Sequence, residues 1–85
     1  MCSQESLSLF RLRVVAEPDP SALGVVADRF RNLNVLPRRF LAEFGPNERL
    51  HIEVDVFGLS ENQLALIAAK ICQAPSVVDV YWHRL

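Results

Sequence analysis

Apolar side chains repeat in successive periodic blocks along the chain, and the period of each block predicts a strand or a helix. Residues 7–16 alternate between apolar and polar side chains, which predicts a strand with one solvated side. A helix is expected next, because Asp19 suits an N-cap, Pro20 the first helical position and Asn34 a left-handed end. The apolar stripe of this helix comprises Leu23, Val26, Ala27 and Phe30.

Two further blocks alternate and predict the second and third strands, at residues 36–44 and 49–57. Pro37 places the second strand at an edge of the sheet, because proline cannot donate a hydrogen bond to a central ladder. Alternate apolar positions in each strand are expected to share one face: Phe40, Ala42 and Phe44, then Leu50, Ile52, Val54 and Val56.

Ser60 and Gln63 form a capping-box pattern, which predicts the start of a second helix, and Pro75 stops that helix. Its apolar stripe comprises Leu64, Ile67, Ala68 and Ile71, with Cys72 at the edge. The alternation of residues 77–83 predicts a last strand, in which Val78, Val80 and Trp82 share one face.

The order strand–helix–strand–strand–helix–strand predicts an α+β fold, the ferredoxin-like βαββαβ sandwich. Two right-handed crossovers give a four-stranded antiparallel sheet in the order 4-1-3-2, with both helices on one face. Strands two and four are then the edges, and the other face of the sheet is open and polar. We expect residues 7–85 to form this single domain and residues 1–6 to form a disordered tail.

Charge and composition narrow the partners of such a domain. Nine Lys and Arg against ten Asp and Glu give a net charge of -1, which argues against nucleic acid as the partner. No apolar run approaches the ~20 residues of a membrane span, and the polar start predicts no leader peptide. Cys2 and Cys72 lie far apart and form no C-x-x-C motif, so a reducing, cytoplasmic location is expected.

The residues contain no convincing catalytic or metal-binding motif. The first loop is acidic and rich in proline, so it lacks a backbone nest for phosphate and a cysteine pair for a metal. His51 and His83 fall on strands that the first strand separates, and capping explains Ser60 and Ser21. We therefore predict a binding module that is not an enzyme and needs no cofactor or metal.

Most of the chain, from about residue 7 to residue 82, resembles the ACT domain family. It is most similar to the short regulatory small subunits of acetolactate synthase. Residues 19–23, which read Asp-Pro-Ser-Ala-Leu, and the helix-to-strand segment at residues 71–80 carry the resemblance. It implies a non-catalytic regulatory or assembly module, such as a subunit of an acetolactate-synthase-type enzyme in branched-chain amino-acid biosynthesis. The implied partners are a catalytic subunit and a branched-chain amino acid.

The resemblance also implies an effector site at the first loop and a homodimer joined through a sheet edge. The implied effector site comprises Asp19, Pro20, Ser21, Ala22, Leu23 and Leu36. The implied dimer edge comprises Arg38, Arg39, Phe40 and Leu41. The usual family turn has glycine at Ser21 and Asp or Asn at Pro18, and its usual strand-two Asn aligns with Leu36. Three effector-binding features are altered together, so pairing through sheet edges is the stronger expectation.

Two alternatives stay open at this point. One is a free-standing ACT-like interaction domain that binds a protein partner and no amino-acid effector. The other is a small enzyme on the same fold, which a cleft holding Arg13, Tyr81 and His83 together would favour.

Overall fold

The computed structural model describes residues 8–85, so the predicted tail at residues 1–6 and Cys2 lie outside the described residues. The strands and helices are β1 (Leu9–Ala16), α1 (Ser21–Asn32), β2 (Arg39–Phe44), β3 (Leu50–Phe57), α2 (Glu61–Cys72) and β4 (Val77–Arg84). The strands form one antiparallel sheet in the order β2-β3-β1-β4. This arrangement confirms the predicted α+β ferredoxin-like topology.

Local hydrogen bonds define where both helices begin. The Asp19 carboxylate accepts a hydrogen bond from the backbone N–H of Ser21 at 3.0 Å. The Ser60 hydroxyl accepts from the N–H of Gln63 at 3.2 Å, while the Gln63 side chain accepts from the N–H of Ser60 at 2.9 Å. These bonds satisfy backbone donors that have no partner inside the helix. The predicted start of α2 is confirmed, whereas α1 begins at Ser21 with Pro20 at the N-cap position, one residue later than predicted. The left-handed Asn34 after α1 is confirmed, with φ 59°.

The core lies between the two helices and the inner faces of β1 and β3. Its largest fully buried side chains include Phe10, Leu12 and Phe30, each no more than 2% exposed. The stripe predicted for α2 is buried along its whole length. The polar residues of β1 and β3 alternate with these apolar ones and line the opposite face, as the period of a strand requires.

The buried stripe of α1 is narrower than the predicted one. Ala22, Val26 and Phe30 face the core, whereas Leu23 and Ala27 are exposed on the flank toward β2. The helix itself is confirmed, but the prediction that Leu23 and Ala27 belong to its buried stripe was wrong. The reason is tertiary, because α1 packs beside α2 and leaves the edge strand β2 uncovered.

The inner face of the edge strand β2 is exposed. Phe44 is 69% exposed, and Phe40 and Ala42, which share its face, are exposed as well. Leu36, three residues before the strand, is 90% exposed. The predicted edge position is confirmed, although the strand begins at Arg39 rather than at residue 36. β2 therefore carries an apolar face that the rest of the described chain does not cover.

A β-bulge near the start of β4 changes the face of one valine. Neighbouring residues of β1 pair with Asp79 and with Val77, so Val78 between them is the extra residue. Val77 packs against the core, and Val78 is exposed. The prediction that Val78 shares a face with Val80 and Trp82 is therefore wrong, because strict alternation ends at the bulge.

Candidate functional site

Two cavities lie between α1 and the exposed inner face of β2, and we name them together the α1–β2 trough. The first-loop cavity has a volume of about 330 Å³ and is lined by the first loop, α1 and the end of β2. The second cavity has a volume of about 420 Å³ and lies where α1 ends and β2 begins. Their apolar walls include Leu23, Leu36, Phe40 and Phe44. The trough exists because no helix among residues 8–85 covers β2.

The residues of the implied effector site do not all meet in one cavity. The first-loop cavity is lined by Asp19, Pro20 and Leu23. Leu36 lines the second cavity instead. Ala22 is fully buried in the core, and Ser21 is exposed at the start of α1. Half of the implied set therefore shares one cavity, and Leu36 lies apart from it.

The charged residues that line the first-loop cavity are Asp19 and Glu43, and both are acidic. Leu23 and Phe44 supply apolar walls. An amino acid could place its ammonium group near the carboxylates, but its own carboxylate would meet like charge. Among the described residues, the lining includes no arginine or lysine to neutralise that carboxylate. The cavity is thus better suited to apolar contact than to an amino-acid headgroup.

The residues of the implied dimer edge face three different surroundings. Phe40 faces the trough. The Arg38 guanidinium lies over the Phe57 ring, 4.7 Å from its centroid, in a cation–π contact. Arg39 and Leu41 point to the open face of the sheet, where β3 lies beside them. Of the four, Phe40 is the one that joins the edge to the trough.

Phe44 belongs to the trough, although no predicted site included it. Its place in an alternating strand grouped it with the apolar inner face. Pro37 was the available signal, because a strand at an edge can extend beyond the cover of the helices.

An ion-pair network crosses the open face of the sheet, and we name Arg11, Arg13, Arg39, Glu53 and Asp55 the outer-face network. Arg11 donates two hydrogen bonds to the Asp55 carboxylate, from Nε at 2.7 Å and from Nη2 at 2.9 Å. Glu53 pairs with Arg13 Nη1 at 2.9 Å and with Arg39 Nη1 at 2.8 Å. The strand register brings these side chains together across β1, β2 and β3.

The outer-face network keeps both of its carboxyl groups ionised. The hydrogen bond from Arg39 lowers the pKa of Glu53, and desolvation opposes it more weakly. The hydrogen bonds from Arg11 lower the pKa of Asp55, again against a weaker desolvation. A general acid at neutral pH needs a raised pKa, so neither carboxyl group suits that role.

We expect the free energy of unfolding to fall as the pH is lowered through the acidic range. Because the pKa values of Glu53 and Asp55 are lower in the folded state, the unfolded state binds more protons. Their contribution is complete above the unfolded values, near about 4, and is lost as the pH falls through the folded values. Urea unfolding at a series of pH values measures this loss.

The double variant Glu53→Gln with Asp55→Asn is the control for this pH dependence. It removes both titrating groups, so its stability should vary less with pH than that of the original chain. Added salt should also flatten the dependence of the original chain, since Arg39 and Glu53 are partly exposed. The same acid slope in both proteins would contradict this role of the network.

The cleft that would favour an enzyme is incomplete. Arg13 and Tyr81 are register partners and line, together with His51, a cavity of about 180 Å³ on the open face. His83 pairs with Arg11 instead and does not line that cavity. Two of the three residues expected in such a cleft therefore lie together.

Within residues 8–85, no three His, Cys, Asp or Glu side chains lie close enough together to hold a metal ion. In the same part of the chain, both helices are too short or too polar to cross a membrane. Cys72 carries a free thiol at the surface.

Comparison with known proteins bears on the fold alone. No protein-family model and no curated protein matches the chain. The C-terminal domain of the MgtC protein from Mycobacterium tuberculosis has a similar structure, with a TM-score of 0.79 at 16% identity over 95% of this chain and 90% of that one. The ACT domain from GTP pyrophosphokinase of Chlorobium tepidum has a TM-score of 0.75 at 13% identity, over 91% of this chain and 99% of that one. The fold is ACT-like.

A larger enzyme contains a similar structure as one part. A homoserine dehydrogenase from Thiobacillus denitrificans matches with a TM-score of 0.75 at 19% identity. The match covers 93% of this chain but 17% of that one. In all three of these neighbours, the similar structure is one domain or portion of a larger protein. Identities this low establish shape and leave function to the site.

Proposed function

We propose that this chain is a regulatory or assembly module, without catalytic activity of its own, that pairs with a second copy along β2. The main support for this proposal is the uncovered inner face of this edge strand, with Phe44 69% exposed and Phe40 exposed beside it. An edge strand also offers unpaired backbone groups, which a second strand can bind. Pairing would satisfy the backbone and cover the apolar face in one step.

Symmetry supports pairing with an identical copy. Two β2 strands that pair antiparallel are related by a two-fold axis, so one patch serves both copies. The sheet would then continue across both copies with all four helices on one face. The apolar walls of both troughs would meet near the axis. A domain of 85 residues buries a modest share of its surface alone, so a second copy adds stability.

The variant Phe44→Asp should weaken the dimer at least about thirtyfold, which is the effect of losing a large apolar side chain that contributes strongly to an interface. The aspartate would have to lose its hydration against an apolar wall of the trough. Sedimentation equilibrium over a range of protein concentrations measures the dissociation constant of the dimer.

Val78→Asp is the matched control, because Val78 is an exposed apolar residue on the opposite edge strand, β4. It should leave the dissociation constant unchanged. If the unsubstituted protein stays monomeric through the micromolar range, the proposed pairing is refuted. A Val78→Asp variant that weakens the dimer as much as Phe44→Asp does would refute it as well.

The absence of catalysis in this proposal rests on the open face of the sheet. Its carboxyl groups, Glu53 and Asp55, are held by arginines and kept ionised. Such a network stabilises the face, whereas proton transfer needs a group whose pKa lies near the working pH. A cavity of about 180 Å³ beside Tyr81 is small for a substrate site.

The finer assignment within this proposal is a small cytoplasmic subunit of an acetolactate-synthase-type enzyme. The likeness of residues 19–23 to the turn of those subunits supports it. The acidic lining of the first-loop cavity favours assembly over the sensing of branched-chain amino acids. Amide chemical shifts recorded while valine, leucine or isoleucine is added would separate these two roles. If no amino acid binds, the alternative is a free-standing interaction domain that still pairs through β2.

A further inference from the structure

A second apolar groove, the α1–α2 groove, lies between the two helices. It has a volume of about 180 Å³ and is lined by Arg29, Asn32, Leu33, Gln63, Leu66, Ile67 and Lys70. Ile67 is buried and forms the floor, while Leu33 and Leu66 form exposed walls, with Leu66 64% exposed. A cavity of about 150 Å³ accepts a benzene-sized group. The groove is therefore large enough for one leucine or phenylalanine side chain.

The charged residues of the α1–α2 groove are Arg29 and Lys70, and both are cationic. Neither forms an ion pair with another residue in the described part of the chain. Asp28, next to Arg29 in sequence, pairs with Arg31 at 3.0 Å instead. The groove thus combines an apolar floor with two positive charges that no acidic side chain of residues 8–85 pairs with. A ligand complementary to this groove would present an apolar group flanked by negatively charged groups.

We propose that the α1–α2 groove binds a short amphipathic helix of a partner protein, in which a leucine or phenylalanine anchor is flanked by Asp or Glu. An amphipathic helix presents its anchors at spacings of three and four residues, which suits a groove between two helices. The anchor fills the space above Ile67. The flanking carboxylates contact Arg29 and Lys70 at the rim.

The α1–α2 groove and the α1–β2 trough lie on opposite flanks of α1. The residues of α1 that line the groove are Arg29, Asn32 and Leu33, whereas Ala27, Phe30, Arg31 and Asn34 line the second cavity of the trough. Among the described residues, none lines both. Pairing along β2 would leave the groove open, so the two inferences stand or fall separately. A dimer would present two such grooves to its partner.

The shape of the groove favours a protein segment over a lipid bilayer. Its apolar floor is concave, so a ligand must insert a side chain to reach Ile67. Helices that bind bilayers instead present a wide apolar face and a face rich in Lys and Arg. The chain as a whole carries a net charge of -1, which gives no attraction to anionic lipids.

Binding of a designed peptide to the full chain tests the proposal. The probe is a fluorescent helical peptide of about twelve residues, or about three turns, with a leucine stripe flanked by Glu. The control peptide has Lys in place of every Glu. We expect the acidic peptide to bind at least about tenfold more tightly by fluorescence polarisation, with a smaller difference at high salt. Its amide shifts should centre on Leu33, Leu66 and Ile67.

Substitutions on the helix surfaces separate the two parts of the site. Leu66→Asn removes an apolar wall, and Arg29→Gln with Lys70→Gln removes the rim charge. Each change should lower the affinity for the acidic peptide by about tenfold. Circular dichroism checks that the variants fold. Arg49→Gln is the matched control, because Arg49 lies outside both helices and does not line the groove, and it should leave the affinity unchanged.

Four results would overturn the proposal. The first is no binding of the acidic peptide at any concentration tested, and the second is binding no tighter than that of the lysine peptide. Its amide shifts would count against the groove if they centred on Phe40 and Phe44 in the trough. Tighter binding to phosphatidylserine vesicles than to the peptide would point to a bilayer instead.

Discussion

Replacing Phe30 by alanine should destabilise the domain by about 3–5 kcal/mol. The ring is 1% exposed and belongs to the core, so the variant loses apolar contacts and gains a cavity. A chain of 85 residues has a total stability of about 4–13 kcal/mol at the usual value per residue. The change therefore removes a large part of the stability. Urea unfolding followed by fluorescence of Trp82, which packs against the core, measures it.

Phe44→Ala is the matched control for Phe30→Ala, because the same side chain is removed from an exposed position. Its cost should be less than about 1 kcal/mol when the protein is dilute enough to be monomeric. At higher concentration the same variant should also lose stability through a weaker dimer. Equal losses for the two variants in dilute solution would contradict the division between core and trough.

Two glycines should respond to alanine with opposite signs. Gly58, after β3, has φ +91°, in a region that L side chains rarely adopt, so Gly58→Ala should cost about 1–2 kcal/mol. Gly24 is an exposed residue within α1, and Gly24→Ala should stabilise the domain by about 0.5–1 kcal/mol through its helix propensity. In both cases the added Cβ meets no heavy atom within 4 Å beyond its own chain neighbours and, for Gly24, the local helix backbone, so packing against other parts of the protein does not contribute.

Urea unfolding of both alanine variants under the same conditions checks this pair. A loss for Gly58→Ala and a gain for Gly24→Ala would support the backbone assignment. If both variants changed stability in the same direction, the proposed role of Gly58, to allow the left-handed turn at the end of β3, would be contradicted.

The two helices differ in how well their buried faces could be predicted. For α2, a capping box and a stripe of four apolar residues indicated the same helix, and all four residues are buried. For α1, Leu23 and Ala27 recur at the same spacing as Val26 and Phe30 but lie outside the core. Periodicity indicates which residues share a face. It does not tell how much of that face a neighbouring element covers, because that depends on tertiary packing.

The candidate site was predictable where it depends on neighbouring residues. Asp19 and Pro20 line the first-loop cavity, and the Asp19 carboxylate accepts a hydrogen bond from the N–H of Ser21 at the start of α1. Leu36 was assigned to the same site but lines the other cavity. Residues 36–38 were predicted as part of the second strand, but β2 begins at Arg39 and these residues belong to the connection from α1, whose path the alternation did not indicate. The exposure of Phe44 likewise follows from the position of α1 over the sheet, because Pro37 indicates an edge strand but not how much of that strand the helices cover.

If two copies pair along β2 as proposed, the bulge at Val78 also limits how many copies can join. A sheet with two receptive edges can add a copy at each one and grow into a filament. The extra residue in β4 breaks the regular ladder there, and the charged Asp79 and Arg84 further disfavour the docking of another strand. With β4 closed to growth and β2 open, a pair of copies has no receptive edge left. Assembly would then terminate at two copies, and the bulge would protect the protein from polymerisation.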